Sequence, residues 1–227
     1  WTLKNGIQVV VRPSTLKADE VTISAVSDGG CSLLSDAEYQ HGAFLSMVMG
    51  QSGIADFSNT ELARQLSGKS AYAGLGVDDY EHSAYAGGSP KDLETILQLL
   101  YLNFTSPRFD ETDLDNLKRM YVPYYTNMES DPNYIMGREF QNTLFGGHVR
   151  RQITSAADIE ALNIPMLQSV HSQLFSYADD FRFIIVGNVD LETLRPLVEK
   201  YIGSLPTSNK VEYAVVDDGV RFATGEV

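Results

Sequence analysis

A single cysteine, Cys31, stands among the 227 residues, which excludes an internal disulfide and a thiolate metal cluster. No apolar run approaches the ~20 residues a membrane-spanning helix needs, so no membrane span is expected. A basic-then-apolar leader is missing too. The Trp at position 1 and the strand-like run over 219–227 suggest a piece of a longer chain. Basic residues are scarce: 17 Lys and Arg against 30 Asp and Glu leave a net charge of −13. Such a surface repels phosphate backbones and anionic headgroups, so nucleic acid is not expected as a partner. With 43% apolar and 10% aromatic residues, the chain has the composition of a folded domain.

The usual catalytic signatures are also missing. There is no G-x-S-x-G elbow and no glycine-rich phosphate loop. The four histidines, His41, His82, His148 and His171, include no pair within a helical turn, so a zinc site has no local start. Glu38 and His41 share a helical face at i, i+3, a spacing used in di-metal bundles. That design needs a second copy and facing carboxylates, and neither is visible, so both are expected as solvated side chains. Asp78, Asp79 and Glu81 read as a charged hairpin tip, because the loop is too short for calcium. Cys31 has no basic sequence neighbour to activate its thiol.

What is present is a regular succession of elements. Asn5-Gly6 marks a turn leading into a strand ending at Pro13, and alternation over 21–26 marks another. Ser35 with Glu38 forms a capping box for a helix expected to pack its Ala43, Phe44 and Met47 face into the core. A short helix is expected over 60–66, then strands over 71–77 and 81–86. Ser89-Pro90 starts a helix with Leu93, Ile96, Leu97, Leu100 and Phe104 on one face. Another opens at Asp110, with Pro123 expected to kink or break it. Helices follow over 132–145, 156–162 and 165–177, then a strand over 181–186 and a helix over 190–201. The order ββ, α, ββ, several α, β, α predicts an α+β fold: a mostly antiparallel sheet with helices packed on one face. Thr207-Ser208-Asn209-Lys210 reads as a linker, giving a unit over 1–206 and, over 207–227, a linker and the start of a following unit.

Several of these stretches, in this order, resemble the pitrilysin/insulinase family of zinc peptidases, whose fold is shared with the mitochondrial processing peptidase. They are Leu3-Lys4-Asn5-Gly6-Ile7-Gln8-Val9-Val10-Val11, Asp28-Gly29-Gly30-Cys31-Ser32, Ser89-Pro90-Lys91-Asp92-Leu93, Phe104-Thr105-Ser106-Pro107-Arg108-Phe109, Leu144-Phe145-Gly146-Gly147-His148, and Ile185-Val186-Gly187-Asn188-Val189-Asp190 through to Pro206. In that family's active unit the first long helix carries H-x-x-E-H, two zinc-binding His with a Glu that activates water. The matching positions here are Ala43, Ser46 and Met47, and the region of the third ligand, around Tyr124, contains no acid.

The resemblance therefore implies a unit with no catalytic, cofactor or metal residues of its own, most like the first unit of a C-terminal half. It implies a peptide substrate, zinc in a catalytic unit of the same chain or of a partner subunit, and a periplasmic or cell-envelope address. A peptidase-like interaction module, or the inactive partner of a separate catalytic subunit, is the alternative.

Overall fold

Turn and cap chemistry sets the element ends in the computed structural model, which describes residues 1–208 and 213–224. After the turn at Asn5-Gly6, strand β1 (Gln8–Pro13) runs parallel to β5 (Arg182–Gly187). Strand β2 (Val21–Asp28) pairs antiparallel with β5 and with β4 (Glu81–Gly88), which pairs antiparallel with β3 (Ala71–Val77). The five strands lie in the order β1-β5-β2-β4-β3. The sheet is thus mostly antiparallel, as the element order predicts.

Alternation decides its faces. Val21, Ile23 and Ala25 of β2 point inward with Phe183 and Ile185 of β5 and Ala84 and Ala86 of β4, whereas Tyr72, Tyr85 and Ile184 stay exposed on the other side. The inner face meets α1 (Asp36–Ser52) and α3 (Leu93–Thr105), with α7 (Ile164–Phe175) against α1 and α8 (Leu191–Tyr201) against α3. Phe175, Phe181, Leu45, Ile96, Leu97 and Leu100 fill the interior. Full burial of each such side chain contributes about 1.5–3 kcal/mol. The remaining helices are α2 (Asn59–Gln65), α4 (Glu111–Met128), α5 (Pro132–Leu144) and α6 (Ala156–Ala161).

Pro123 neither ends nor divides α4, which continues through it to Met128. A proline inside a helix removes one N–H, and the packing of Leu114 and Leu117 at the other end of α4 outweighs that loss. The end of the chain also departs from expectation. Residues 219–224 form no strand, and 213–224 lie as irregular chain on this unit: the Tyr213 hydroxyl donates to Gln173 O (3.0 Å), the Val216 N–H to Ser32 Oγ (2.9 Å) and the Ala223 N–H to Leu144 O (2.8 Å). Asn209-Lys210 of the expected linker and residues 225–227 of the expected strand lie outside the described residues.

One buried cation ties the turn at Val149–Arg151 to the start of α1. Arg150, 7% exposed, donates to Cys31 O (3.0 Å), Leu34 O (2.6 Å) and Asp36 Oδ1 (2.7 Å). Its guanidinium satisfies the carbonyls of Cys31 and Leu34 in the segment that leads into α1, a task suited to its fork of donors.

Candidate functional site

The helix that would carry chemistry in an active unit is α1. Its capping box forms as the sequence predicts: the Glu38 carboxylate accepts from the Ser35 N–H (3.1 Å) and hydroxyl (2.7 Å). Gln173 Nε2 and Ser169 Oγ of α7 also donate to Glu38 Oε1. Burial works against ionisation of Glu38, but these hydrogen bonds outweigh it and hold its carboxyl below the ordinary value.

Around the axis of α1, His41, Gly42, Phe44, Leu45, Val48, Met49 and Ser52 are buried. Ala43 is exposed and Ser46 and Met47 are half-buried, so positions 43, 46 and 47 share the side of the helix turned toward solvent. The expected core face through Ala43, Phe44 and Met47 is therefore corrected. Phe44 is core and Met47 packs at its margin, but Ala43 faces out, because 3.6-residue periodicity places 43 and 44 about 100° apart. Tyr124 of α4 is 54% exposed. A methyl group, a hydroxyl, a thioether and an exposed phenol supply no imidazole, thiolate or carboxylate, so this set does not fit a zinc ion.

The histidines serve structure instead. His41 is buried, which corrects its expected exposure. Its Nε2 accepts the N–H of Asn163 (3.2 Å), the residue whose Oδ1 caps α7 through the Met166 N–H (3.0 Å). Burial lowers the pKa of His41, favouring the neutral ring that can accept this bond. Sequence spacing could not show this, because the partner lies 122 positions away. His82 is fully buried, accepts the Gly30 N–H at Nδ1 (3.3 Å) and meets Phe175, Phe181 and Tyr213 edge-on. Desolvation pushes it down to about 4. His171 binds Asn103 O through Nε2 (2.9 Å), and burial lowers its pKa as well. His148 caps the turn at Val149–Arg151, its Nδ1 accepting the Arg150 N–H.

Near Ala43 the acidic hairpin tip is pinned. Asp79 pairs with Arg151 and accepts the Tyr39 hydroxyl (2.9 Å). Burial, then the negative charge of Asp79, push the Cys31 thiol up to about 12, which makes it a poor nucleophile. No group of three or more His, Cys, Asp or Glu among the described residues could hold a metal ion.

Two open clefts flank α1. One, of about 700 Å³, runs past Ala43, Tyr39 and the hairpin tip. The other, of about 250 Å³, lies between Ser46 and Met49 of α1, α2 and strand β3.

Comparison with known proteins places this arrangement. Residues 161–226 match the family described as the Peptidase M16 inactive domain. The chain is 20% identical to a probable zinc protease PqqL of Haemophilus influenzae over 95% of its own length and 23% of that protein's. Among solved structures, the periplasmic protease PqqL from Escherichia coli superposes with a TM-score of 0.80 at 21% identity, covering 94% of this chain and 24% of that one. The ferredoxin protease FusC, solved as a point mutant in complex with Arabidopsis ferredoxin, superposes at 0.79 with 18% identity, over 97% and 24%. The chain thus spans about a quarter of the length of these relatives. The fold is thus that of one unit of these proteases, residues 161–226 resemble the inactive domain of the M16 peptidases, and Ala43, Ser46 and Met47 stand on the first long helix.

Proposed function

We propose that this unit, residues 1–206, is a substrate-enclosing wall of a zinc metalloendopeptidase, standing as the first unit of its C-terminal half, with 207–227 leading toward the next unit. The observation that carries the reading is a complete peptidase-unit fold whose α1 offers no ligand set. Zinc and its activated water belong to the catalytic unit, in the same chain or a partner subunit. The contribution of this unit is to hold a peptide against that site and to keep folded proteins out. Positioning of this kind can supply several kcal/mol toward a barrier. A periplasmic address for this protein is supported by the relative described as a periplasmic protease.

The test is hydrolysis of unfolded peptides by the full-length protein. Turnover is expected to be abolished by chelation, and to be lost on deletion of residues 1–206 while zinc stays bound elsewhere. Retained turnover after that deletion rejects enclosure. A chelator-insensitive, inactive full-length protein selects the interaction-module reading instead.

A further inference from the structure

Residues 213–224 lie across the unit as a strap with three anchors. At the first, the Tyr213 N–H donates to Asp180 Oδ2 (3.1 Å) and its hydroxyl to Gln173 O (3.0 Å), while its ring stands edge-on to His82, 4.9 Å between centroids. At the second, the Val216 N–H donates to Ser32 Oγ (2.9 Å), whose own proton goes to Gly29 O (2.6 Å). At the third, on the arm, Phe222 stacks on Phe145 and the Ala223 N–H donates to Leu144 O (2.8 Å). Between the first two anchors, Val215 forms part of the wall of the 700 Å³ cleft beside Ala43.

The first two anchors meet at one buried imidazole. Phe175 and Phe181 close two sides of His82, and Tyr213 closes a third from the strap. His82 Nδ1 accepts the Gly30 N–H (3.3 Å), in the same short turn as Ser32. A proton on Nδ1 turns that acceptor into a donor facing another donor, and sets a charge among three rings. Burial dominates and disfavours the charged ring; the Leu174 carbonyl and the Asp28 carboxylate of β2 favour it and are outweighed. The other titratable groups nearby give little help. Glu81 of β4 is exposed, Asp179 and Asp180 act on Tyr213, the Cys31 thiol is held protonated, and burial favours neutral His171 on α7.

Water can reach the ring most cheaply from the strap side. Phe175 and Phe181 are core, whereas the strap is irregular chain with Val215 and Val216 exposed. We infer that residues 213–224 are an acid-released strap: protonation of His82 unseats Tyr213 and Val216, and the strap lifts from the cleft beside Ala43 before the unit unfolds. The sign follows from linkage, because the open form binds a proton that the closed form refuses. Opening is independent of pH well above 6.5, and rises by up to about tenfold per unit between there and about 4.

Hydrogen exchange of the full-length protein, read by mass spectrometry from about pH 7.5 to about pH 4.5 with intrinsic rates divided out, tests this. Protection over 213–217 is expected to hold steady to about pH 6.5 and then fall by up to about tenfold per unit, while residues 183–185 of β5 stay protected throughout. His82→Gln keeps an acceptor for the Gly30 N–H and every carboxylate contact of the strap, and is expected to flatten the profile. An unchanged fall in that variant assigns release to Asp180, Asp217 or Asp218 and overturns the proposal, as does loss of the strap and β5 together in the unmodified protein. Tyr213→Ala supplies a second test should His82→Gln misfold. Exchange at the imidazole C2–H reads the pKa of His82, which is expected to rise from about 4 toward 6.5 when the Tyr213 ring is removed. No rise means that the strap does not seal the ring, and overturns the proposal.

Discussion

The sheet with α1, α3, α7 and α8 and the arm formed by α4 and α5 obey different packing rules. In the first region the large side chains are spent inward: Phe175, Phe181, Phe183, Leu45, Ile96 and Leu97 are all essentially inaccessible. In the second, only Leu114 and Leu117 of α4 and Tyr134 of α5 are buried. Met120, Tyr124, Met136 and Phe140 lie 54–68% exposed. Both regions are amphipathic in sequence, so amphipathicity alone does not identify the core. A helix face becomes core where a sheet stands opposite it, and the outer faces of α4 and α5 have none within this unit.

The largest expected effect contrasts the same truncation in the two regions. Phe183→Ala should cost about 3–5 kcal/mol in urea unfolding, from lost transfer energy and the cavity left behind. Phe140→Ala on the arm should cost under about 0.5 kcal/mol. Equal costs would show that the arm is packed as tightly as the sheet layer.

Next comes pH. His82 is held at about 4 against an ordinary 6.5. Between those values the unfolded chain binds a proton that the folded chain refuses, so stability falls as pH drops. The slope is about 1.4 kcal/mol per pH unit for one such group. The penalty is absent well above pH 6.5 and complete below pH 4. His41 and His171, also lowered by burial, act in the same direction. Unfolding midpoints from about pH 7.5 to about pH 4.5 read this slope. His82→Gln, which keeps an acceptor for the Gly30 N–H, should make it shallower, and an unchanged slope would show that His82 is not the group responsible.

Arg150→Met should cost about 2–3 kcal/mol, because Cys31 O and Leu34 O are left without their donor. Asp36 adds little, since it stays largely exposed. Arg150→Lys should recover only part of the loss, as one ammonium cannot span the three acceptors. Full recovery in thermal melts would mean that charge alone matters here.

The smallest effect belongs to the α1 face. Introducing Ala43→His, Ser46→Glu and Met47→His together should cost less than about 1 kcal/mol without zinc, most of it at half-buried Met47. A loss of several kcal/mol would place this face in the core after all.

Local chemistry makes most elements legible in the sequence. Ser35 with Glu38, Ser58 with Glu61, and Asp110, Asp131 and Asp190 as caps all mark helix starts, because a side-chain oxygen that satisfies free N–H groups must lie within three residues of them. The one-sided sheet follows from β2 alternation and element order, and the proposal that this unit holds no zinc rests on Ala43, Ser46 and Met47, none of which carries an imidazole or a carboxylate.

Other features depend on contacts between distant parts of the chain. That β5 lies between β1 and β2, that His41 faces Asn163, that Arg150 holds the carbonyls of Cys31 and Leu34, and that Ala43 looks outward while Phe44 looks in were decided by packing. Caps, turns and periodicity act over one or two helical turns and are written in neighbouring residues. Burial and strand adjacency depend on which surfaces meet across a hundred or more positions, and only the assembled fold specifies that.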